Sequence, residues 1–391
     1  MPIDVAHYVG REPAYVKHTF LDKYLPALIG RIGNHAFDSF VYVDGFAGPW
    51  RSTAGENFDD TSFGIALRHM TALKDSFADR GRHVRMKAIL VEKDDATFTA
   101  LKNAVASYPA IECLPLQGEF EDQIPRIQNE IPHGAFSFVL VDPKGFPDME
   151  RVLPLLARSN SEALVNFMFD FANRFAGTEL LPALEKWLSS EGDKTWRTEV
   201  DALAKIDREN RLEALAVEKL RREATYTYSP VISVDKPLQD RTLYKLIFLT
   251  RHPKGLEVFR ASENAALQAQ AASRTNSKAA AREKKTNMSD FFGAHGDVPN
   301  DRSSVRLREG EIQARQLLLA SLASAGTAGR AWSQVWPSVL NDAVITRSKL
   351  GHIVNEMRKT RAIDAPNWPS ERKIIPQEEQ LLRLIIRPPA T

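Results

Sequence analysis

Short apolar runs alternating with helical patterns are the feature that most limits what this chain can fold into. Phe40–Val43, Ala88–Val91, Phe136–Val141 and Ala163–Phe167 are almost continuously apolar, and Ile111–Leu116 is a weaker fifth run. A run apolar on both faces suits a strand buried in a parallel sheet. Between the runs, Ile65–Phe77, Thr97–Ser107, Phe120–Glu130 and Met149–Ala157 carry helical spacing. Parallel strands need crossovers, and helices of this length supply them, so the pattern predicts an α/β, Rossmann-like domain covered on both faces. An N-terminal helix is predicted over Tyr15–Ile29, from Val16, Phe20, Leu21, Tyr24, Leu25 and Leu28. Val231–Val234 and Leu243–Thr250 read as a late hairpin completing the sheet.

Composition changes twice along the chain. From Ser262 to Gly310 Ala, Gln, Ser, Asn and Lys dominate and basic residues cluster (Arg274, Lys278, Arg282, Lys284, Lys285), which reads as an alanine-rich helix entering a flexible linker. Periodicity resumes at Glu311. The expected division is therefore a Rossmann domain over 1–261, a helix and linker over 262–310, and a small domain over 311–391. The net charge of +2 forces no nucleic-acid or membrane reading of the whole chain. The single cysteine, Cys113, excludes an intramolecular disulfide framework and a cysteine-cluster metal site, and no metal is expected. Met1–Gly10 lacks the order of a signal peptide, and no apolar run reaches the roughly 20 residues of a membrane span, so the expectation is a cytoplasmic protein.

Five strings at predicted strand ends carry the candidate chemistry. In Val43-Asp44-Gly45-Phe46-Ala47-Gly48-Pro49-Trp50 a strand ends in an acid and enters a loop of small residues. Such a loop lets backbone approach a ligand. An acid there repels a pyrophosphate but suits the ammonium group of S-adenosylmethionine, so Asp44, Gly45, Phe46, Ala47 and Gly48 are candidate cofactor residues. Glu92, ending the second strand, is placed to accept from ribose hydroxyls; the plain alternative is helix entry, with Asp94 or Asp95 as cap. Glu119 and Phe120 after the third strand are candidates for the adenine, or simply start a helix. Asp142-Pro143-Lys144-Gly145-Phe146 leaves the fourth strand and resembles the acid, proline and aromatic by which amino-nitrogen methyltransferases hold their substrate. Asp142, Pro143, Lys144 and Phe146 are the candidate catalytic residues, although Lys144-Gly145 replaces a second proline. Asn166 and Arg174, beyond the fifth strand, are either structural or contacts to substrate.

The C-terminal segment reads as helices over Arg315–Leu322, Ala331–Asn341 and Thr346–Arg361, then a wing ending at Ile374-Ile375. This predicts a winged helix-turn-helix. Arg347, Lys349, Arg358, Lys359 and Arg361 on its third helix, with Arg372 and Lys373 on the wing, are candidate DNA contacts. A protein-docking domain of the same fold is the alternative.

Together, Tyr42-Val43-Asp44-Gly45-Phe46-Ala47-Gly48-Pro49, Val141-Asp142-Pro143-Lys144-Gly145-Phe146, Leu164-Val165-Asn166-Phe167 and Leu243–Leu256 resemble the three-Cys-motif partner proteins over residues 12–262. The lead helix with Lys17 and Tyr24-Leu25 fits as well. The resemblance implies a methyltransferase-like fold that uses S-adenosylmethionine. It also implies a separate partner bearing three cysteines and similar to radical S-adenosylmethionine enzymes, nucleic acid as a substrate, and in some relatives an appended winged helix. Trp50 departs from the family loop, which has glycine there, and Thr61-Ser62-Phe63 replaces its Gly-Ser-Pro. The expected function is methyl transfer to a nucleic-acid base nitrogen. The competing expectation is a non-catalytic docking protein with a DNA-binding winged helix. Dehydrogenase chemistry is disfavoured by Asp44 and by the missing G-x-G-x-x-G.

Overall fold

The computed structural model describes residues 3–35, 37–49, 52, 53, 55, 58–170, 181–189, 195–286, 298–366, 368 and 373–385. They divide into two compact units, Met1–Gly255 and Leu256–Thr391.

In the first unit the apolar runs become strands. These are β1 (Ser39–Asp44), β2 (Arg85–Glu92), β3 (Glu112–Gln117), β4 (Phe136–Val141) and β5 (Ser161–Phe167). They are parallel, and β6 (Val231–Asp235) and β7 (Thr242–Leu249) close the sheet as an antiparallel hairpin. The order is β3-β2-β1-β4-β5-β7-β6. This is a seven-stranded, mostly parallel sheet flanked by helices, consistent with a Rossmann-like methyltransferase fold. From β1 the chain steps outward to β2 and β3, then returns to β4 on the other side. Between β1 and β4 the connections therefore diverge, and a crevice opens at the carboxyl edge. β3 was the weakest run because it is an edge strand: it pairs with β2 alone, and Pro115 is tolerated there.

The helices of this unit are α1 (Glu12–His35), α2 (Ser62–Ala78), α3 (Asp95–Val105), α4 (Phe120–Glu130), α5 (Met149–Leu156), α6 (Leu181–Leu188), α7 (Thr195–Asp201) and α8 (Lys205–Glu223). α1 buries Val16, Phe20, Leu21, Tyr24, Leu25 and Leu28, the stripe its spacing predicts. α2 is capped by Thr61, whose side chain accepts from the Gly64 N–H, so the departure from Gly-Ser-Pro still starts a helix. At the amino end of β5, Glu162 is fully buried and accepts from the hydroxyls of Tyr24 and Thr250. Gly255 packs on it so closely that a Cβ would lie 2.0 Å from its Oε1.

α9 (Pro253–Thr286) is a single helix of 34 residues that belongs to the second unit from Leu256 onward. Of the alanine-rich helix and flexible linker expected over 262–310, the helix is present and the linker is corrected at its far end. Residues 262–286 are helix, and 302–310 are the first turns of α10 (Arg302–Ala325), which is far longer than the predicted Arg315–Leu322. Residues 287–297 lie outside the described residues. Arg274, read as part of an exposed basic cluster, is instead buried and paired with Asp301 at 2.8 Å. Asp301 in turn caps α10 by accepting from the Ser303 N–H. After α10 come α11 (Trp332–Asp342) and α12 (Arg347–Lys359). A small antiparallel sheet, ordered β8 (Arg330–Ala331), β10 (Leu381–Leu384), β9 (Ile363–Asp364), packs with them around Trp332, Val335, Leu340, Leu350, Val354 and Leu382.

Candidate functional site

The carboxyl edge of the sheet gathers Asp44, Glu92, Asp142 and Asn166 at or beside the ends of β1, β2, β4 and β5. Asp44 does not face the crevice as an open carboxylate. It is fully buried, its Oδ1 accepts from the Phe46 N–H at 3.1 Å, and its Oδ2 accepts from Ser62 at 2.6 Å and Tyr42 at 3.1 Å. Burial pushes its carboxyl above the ordinary value, opposed by the Ser62 and Phe46 hydrogen bonds. Asp44 thus ties the loop after β1 to α2.

The loop itself departs from the expectation that its N–H groups meet the ligand. Gly45 N–H donates to the Leu140 carbonyl at 3.0 Å, Phe46 N–H to Asp44, and Ala47 N–H to the Val91 carbonyl at 2.8 Å. Gly45 to Gly48 keep their carbonyl oxygens without hydrogen bonds among the described residues. From Gly45 to Gly48 the loop thus offers more open acceptors than open donors, the Gly48 N–H alone having no acceptor among the described residues. Gly45 is required for a different reason than ligand approach: a Cβ there would stand 2.9 Å from the Phe120 ring. Phe120 is accordingly buried in the core against Phe46, not open to an adenine ring. Glu119 is exposed and pairs with exposed Lys93 at 3.2 Å, a contact worth at most about 1 kcal/mol and easily exchanged for a ligand. Glu92 is buried; its Oε1 accepts from the Asp94 N–H at 2.8 Å, while Asp94 caps α3. This is the helix entry that the plain alternative expects, with Asp94 as the cap. The second oxygen of Glu92 accepts no hydrogen bond among the described residues.

At β4, Asp142 is partly exposed. Its Oδ2 pairs with Lys17 of α1, and its Oδ1 accepts from the Asn166 amide at 2.7 Å. Pro143 is buried and Lys144 exposed. Phe146 turns inward, with its ring centroid 6.1 Å from Phe167 and 5.8 Å from Trp187, so it does not stand ready to stack on a substrate. Arg174 and Trp50 lie outside the described residues. Lys17 is the site residue that the motif reading did not place. The sequence marked it only as a lead-helix lysine that fits the family resemblance, with no role attached. Beside it, burial and then the Lys17 charge hold His18 well below the usual imidazole range, with the Tyr8 hydroxyl on its Nδ1 at 3.0 Å. His18 is therefore neutral, and Lys17 is the cation at Asp142.

In the second unit the candidate DNA contacts separate. Arg347 is not available: it pairs with Glu378 at 2.7 Å and Glu257 at 3.3 Å and lies over the Trp336 ring. Arg358 bonds to Asn355 and stacks on Trp368. Lys349 is exposed and pairs with Glu311; Lys359, Arg361 and Lys373 are exposed, and Arg372 lies outside the described residues.

No family model matches the chain, and no curated protein does. Among solved structures, loganic acid methyltransferase with SAH is similar at 10% identity and a TM-score of 0.28, over 78% of this chain and 91% of that one. A likeness of that size shows no reaction. Among the described residues no helix is long and apolar enough to cross a membrane, and no group of His, Cys, Asp and Glu could hold a metal.

Proposed function

We propose that the first unit is an S-adenosylmethionine-dependent methyltransferase acting on nucleic acid or a nucleic-acid-associated substrate. The observation that carries this reading is the loop after β1. The N–H groups of Gly45, Phe46 and Ala47 are spent inside the chain, so of the four from Gly45 to Gly48 one remains as a donor for a pyrophosphate, whereas the open carbonyls suit an ammonium group. S-adenosylmethionine carries an ammonium and no phosphate, and a dinucleotide is the reverse. Glu92, with one oxygen anchored by Asp94 and one open, would hold the ribose hydroxyls. Lys93 and Glu119 flank the adenine end, and Asp142 orients the acceptor. Bound S-adenosylmethionine supplies a methyl group activated by its positive sulfur. Catalysis by the chain is then mainly alignment of the acceptor with that methyl.

The second unit joins this reading as a winged helix. Its order of helix, short strand, two helices and two strands is that of the motif, with α12 as the recognition helix. The three-cysteine partner belongs to the proposal through the motif resemblance alone.

Calorimetric titration of the full chain tests the reading. S-adenosylmethionine and S-adenosylhomocysteine are expected to bind and NAD is not. Glu92→Ala should weaken both adenosyl ligands about tenfold, the worth of a charge-assisted hydrogen bond. Binding of NAD in preference to S-adenosylhomocysteine would sink the assignment. Unchanged affinity in the variant would remove Glu92 from the site.

A further inference from the structure

The chain ahead of α1 crosses from one side of the crevice to the other. α1 lies with its amino end at the carboxyl edge of the sheet. There Lys17 pairs with Asp142 after β4, and the Pro13 carbonyl accepts from the hydroxyl of Tyr244, near the start of β7, at 2.5 Å. Tyr24, two turns further on, meets Glu162 at the opposite edge. Upstream of Pro13 the contacts move to the connection between β1 and α2. Arg11 Nη1 donates to the Asp60 carboxylate at 2.8 Å and Nη2 to the Asp60 carbonyl at 3.1 Å, and His7 Nδ1 lies 3.0 Å from Thr53 Oγ1. Asp60 is buried and also accepts from the Thr53 N–H and the Ser52 hydroxyl, so strap and connection share one carboxylate. Residues 3–11 thus span the gap between the β4 and β1 sides.

The attachment of this strap is thin. It forms one 3-10 turn, Val5–Tyr8, and of its described residues only Tyr8 is buried, between Tyr15, His18 and the Arg11 guanidinium. Val5 and Val9 face water at 52% and 84% exposure. Gly10, between the buried anchor and α1, has φ +76°, where a side chain is strained. A segment held by one buried side chain and a few polar contacts opens at far less cost than the core. Its latch is also close to the site. Asp60 directly precedes Thr61 and Ser62, the residues that cap α2 and hold Asp44, so Arg11 grips the same helix start that fixes the loop after β1.

We propose that residues 3–11 are a lid. Docked through Tyr8 and the Arg11–Asp60 pair, the strap closes the crevice over the adenosyl ligand; swung out about Gly10, it lets the ligand exchange. The inference rests on the methyl-transfer reading and adds how that site is gated. A ligand seated on the loop after β1 steadies Asp60 and so favours the docked strap, which is the differential affinity that closure requires. Closure keeps water away from the activated methyl during transfer.

Rapid mixing and chase of S-adenosylhomocysteine with the full chain measures both rate constants. A lid slows entry and exit alike. Tyr8→Ala, and a chain lacking residues 2–9, should therefore raise association and dissociation together, each about tenfold, with Kd changed by less than about threefold. Gly10→Ala keeps the test standing where Tyr8→Ala fails to fold. A Cβ there meets nothing within 4 Å, so the variant penalises only the left-handed backbone of the docked strap and should speed both rates about fivefold. Hydrogen exchange gives a second reading: amides of residues 5–11 should exchange about tenfold slower with S-adenosylhomocysteine bound, and those of Phe20–Ile29 at an unchanged rate. Faster dissociation with association unchanged makes the strap a fixed wall and overturns the lid. Rates within about twofold of wild type in the truncated chain and Gly10→Ala overturn it as well. Both results leave the methyl-transfer reading intact. No binding of S-adenosylhomocysteine by the wild-type chain brings down both.

Discussion

Glu162 is a carboxyl that the chain surrounds with hydroxyls, at the opposite end of β5 from Asn166. Burial pushes its pKa up to about 7, against the opposing hydrogen bonds of Thr250 and Tyr24 and the charge of Arg31. A carboxyl raised in the folded state binds a proton that the unfolded chain has already released. Its contribution to stability is complete below its unfolded pKa of about 4.5 and is lost as pH rises through about 7. The loss amounts to about 3 kcal/mol. Glu162→Gln should therefore flatten the fall in melting temperature between pH 5 and pH 8, by about as much as the wild-type chain shows from this group. A variant with the wild-type pH slope would show that Glu162 titrates elsewhere. Neither this carboxyl nor the pairing of Lys17 with Asp142 was legible in the sequence, whereas the positions of Asp44, Asp142 and Asn166 were, because strand ends are local. Partners 125 residues apart, such as Lys17 and Asp142, meet only once α1 is laid against the sheet. For the same reason Asp44 was placed correctly but given the wrong neighbours, since Ser62 reaches it only from the start of α2.

Among the elements, the strands were readable because fully buried parallel strands are apolar on both faces, and their turns carry glycine, proline and acids. The helix of α9 was legible from its alanine, but its burial was not, because small residues take the place of large ones. Its interior face is built from Ala266, Leu267, Ala271 and Ala279, together with the polar Gln270, Arg274 and Thr275. A helix packed through alanine approaches its neighbours closely and looks exposed by composition. Its polar residues are paired within the second unit: Gln270 with Ser303, Arg274 with Asp301, and Arg260 with Glu263 and the carbonyls of Leu340 and Asn341. Arg274→Ala leaves Asp301 buried without its counter-charge. The expected cost is about 3–5 kcal/mol, read as a lower denaturation midpoint for the second unit. A loss below about 1 kcal/mol would show that Asp301 reaches water once Arg274 is gone.

At the scale of the whole molecule a net charge of +2 supplies no long-range field, so any nucleic-acid binding rests on local cations. Lys349, Lys359, Arg361 and Lys373 remain on the exposed side of α12 and the segment after it, with Glu356 among them. If these four meet phosphates, log K for duplex DNA should fall against log salt with a slope of about −3 to −4. Arg347→Ala should leave that slope unchanged and lower the melting temperature, since Arg347 serves Glu257, Glu378 and Trp336. A slope near zero in the wild-type chain rules out the DNA-binding face.

The place of the crevice at the carboxyl edge depends on none of these side chains. It follows from the order in which the strands are laid down, β1 turning one way to β2 and β4 the other way to β5. Descent can therefore treat the two questions separately. Substitution in the loops after β1, β2, β4 and β5 is free to change what the crevice accepts, generation by generation, while its address is inherited unchanged with the topology.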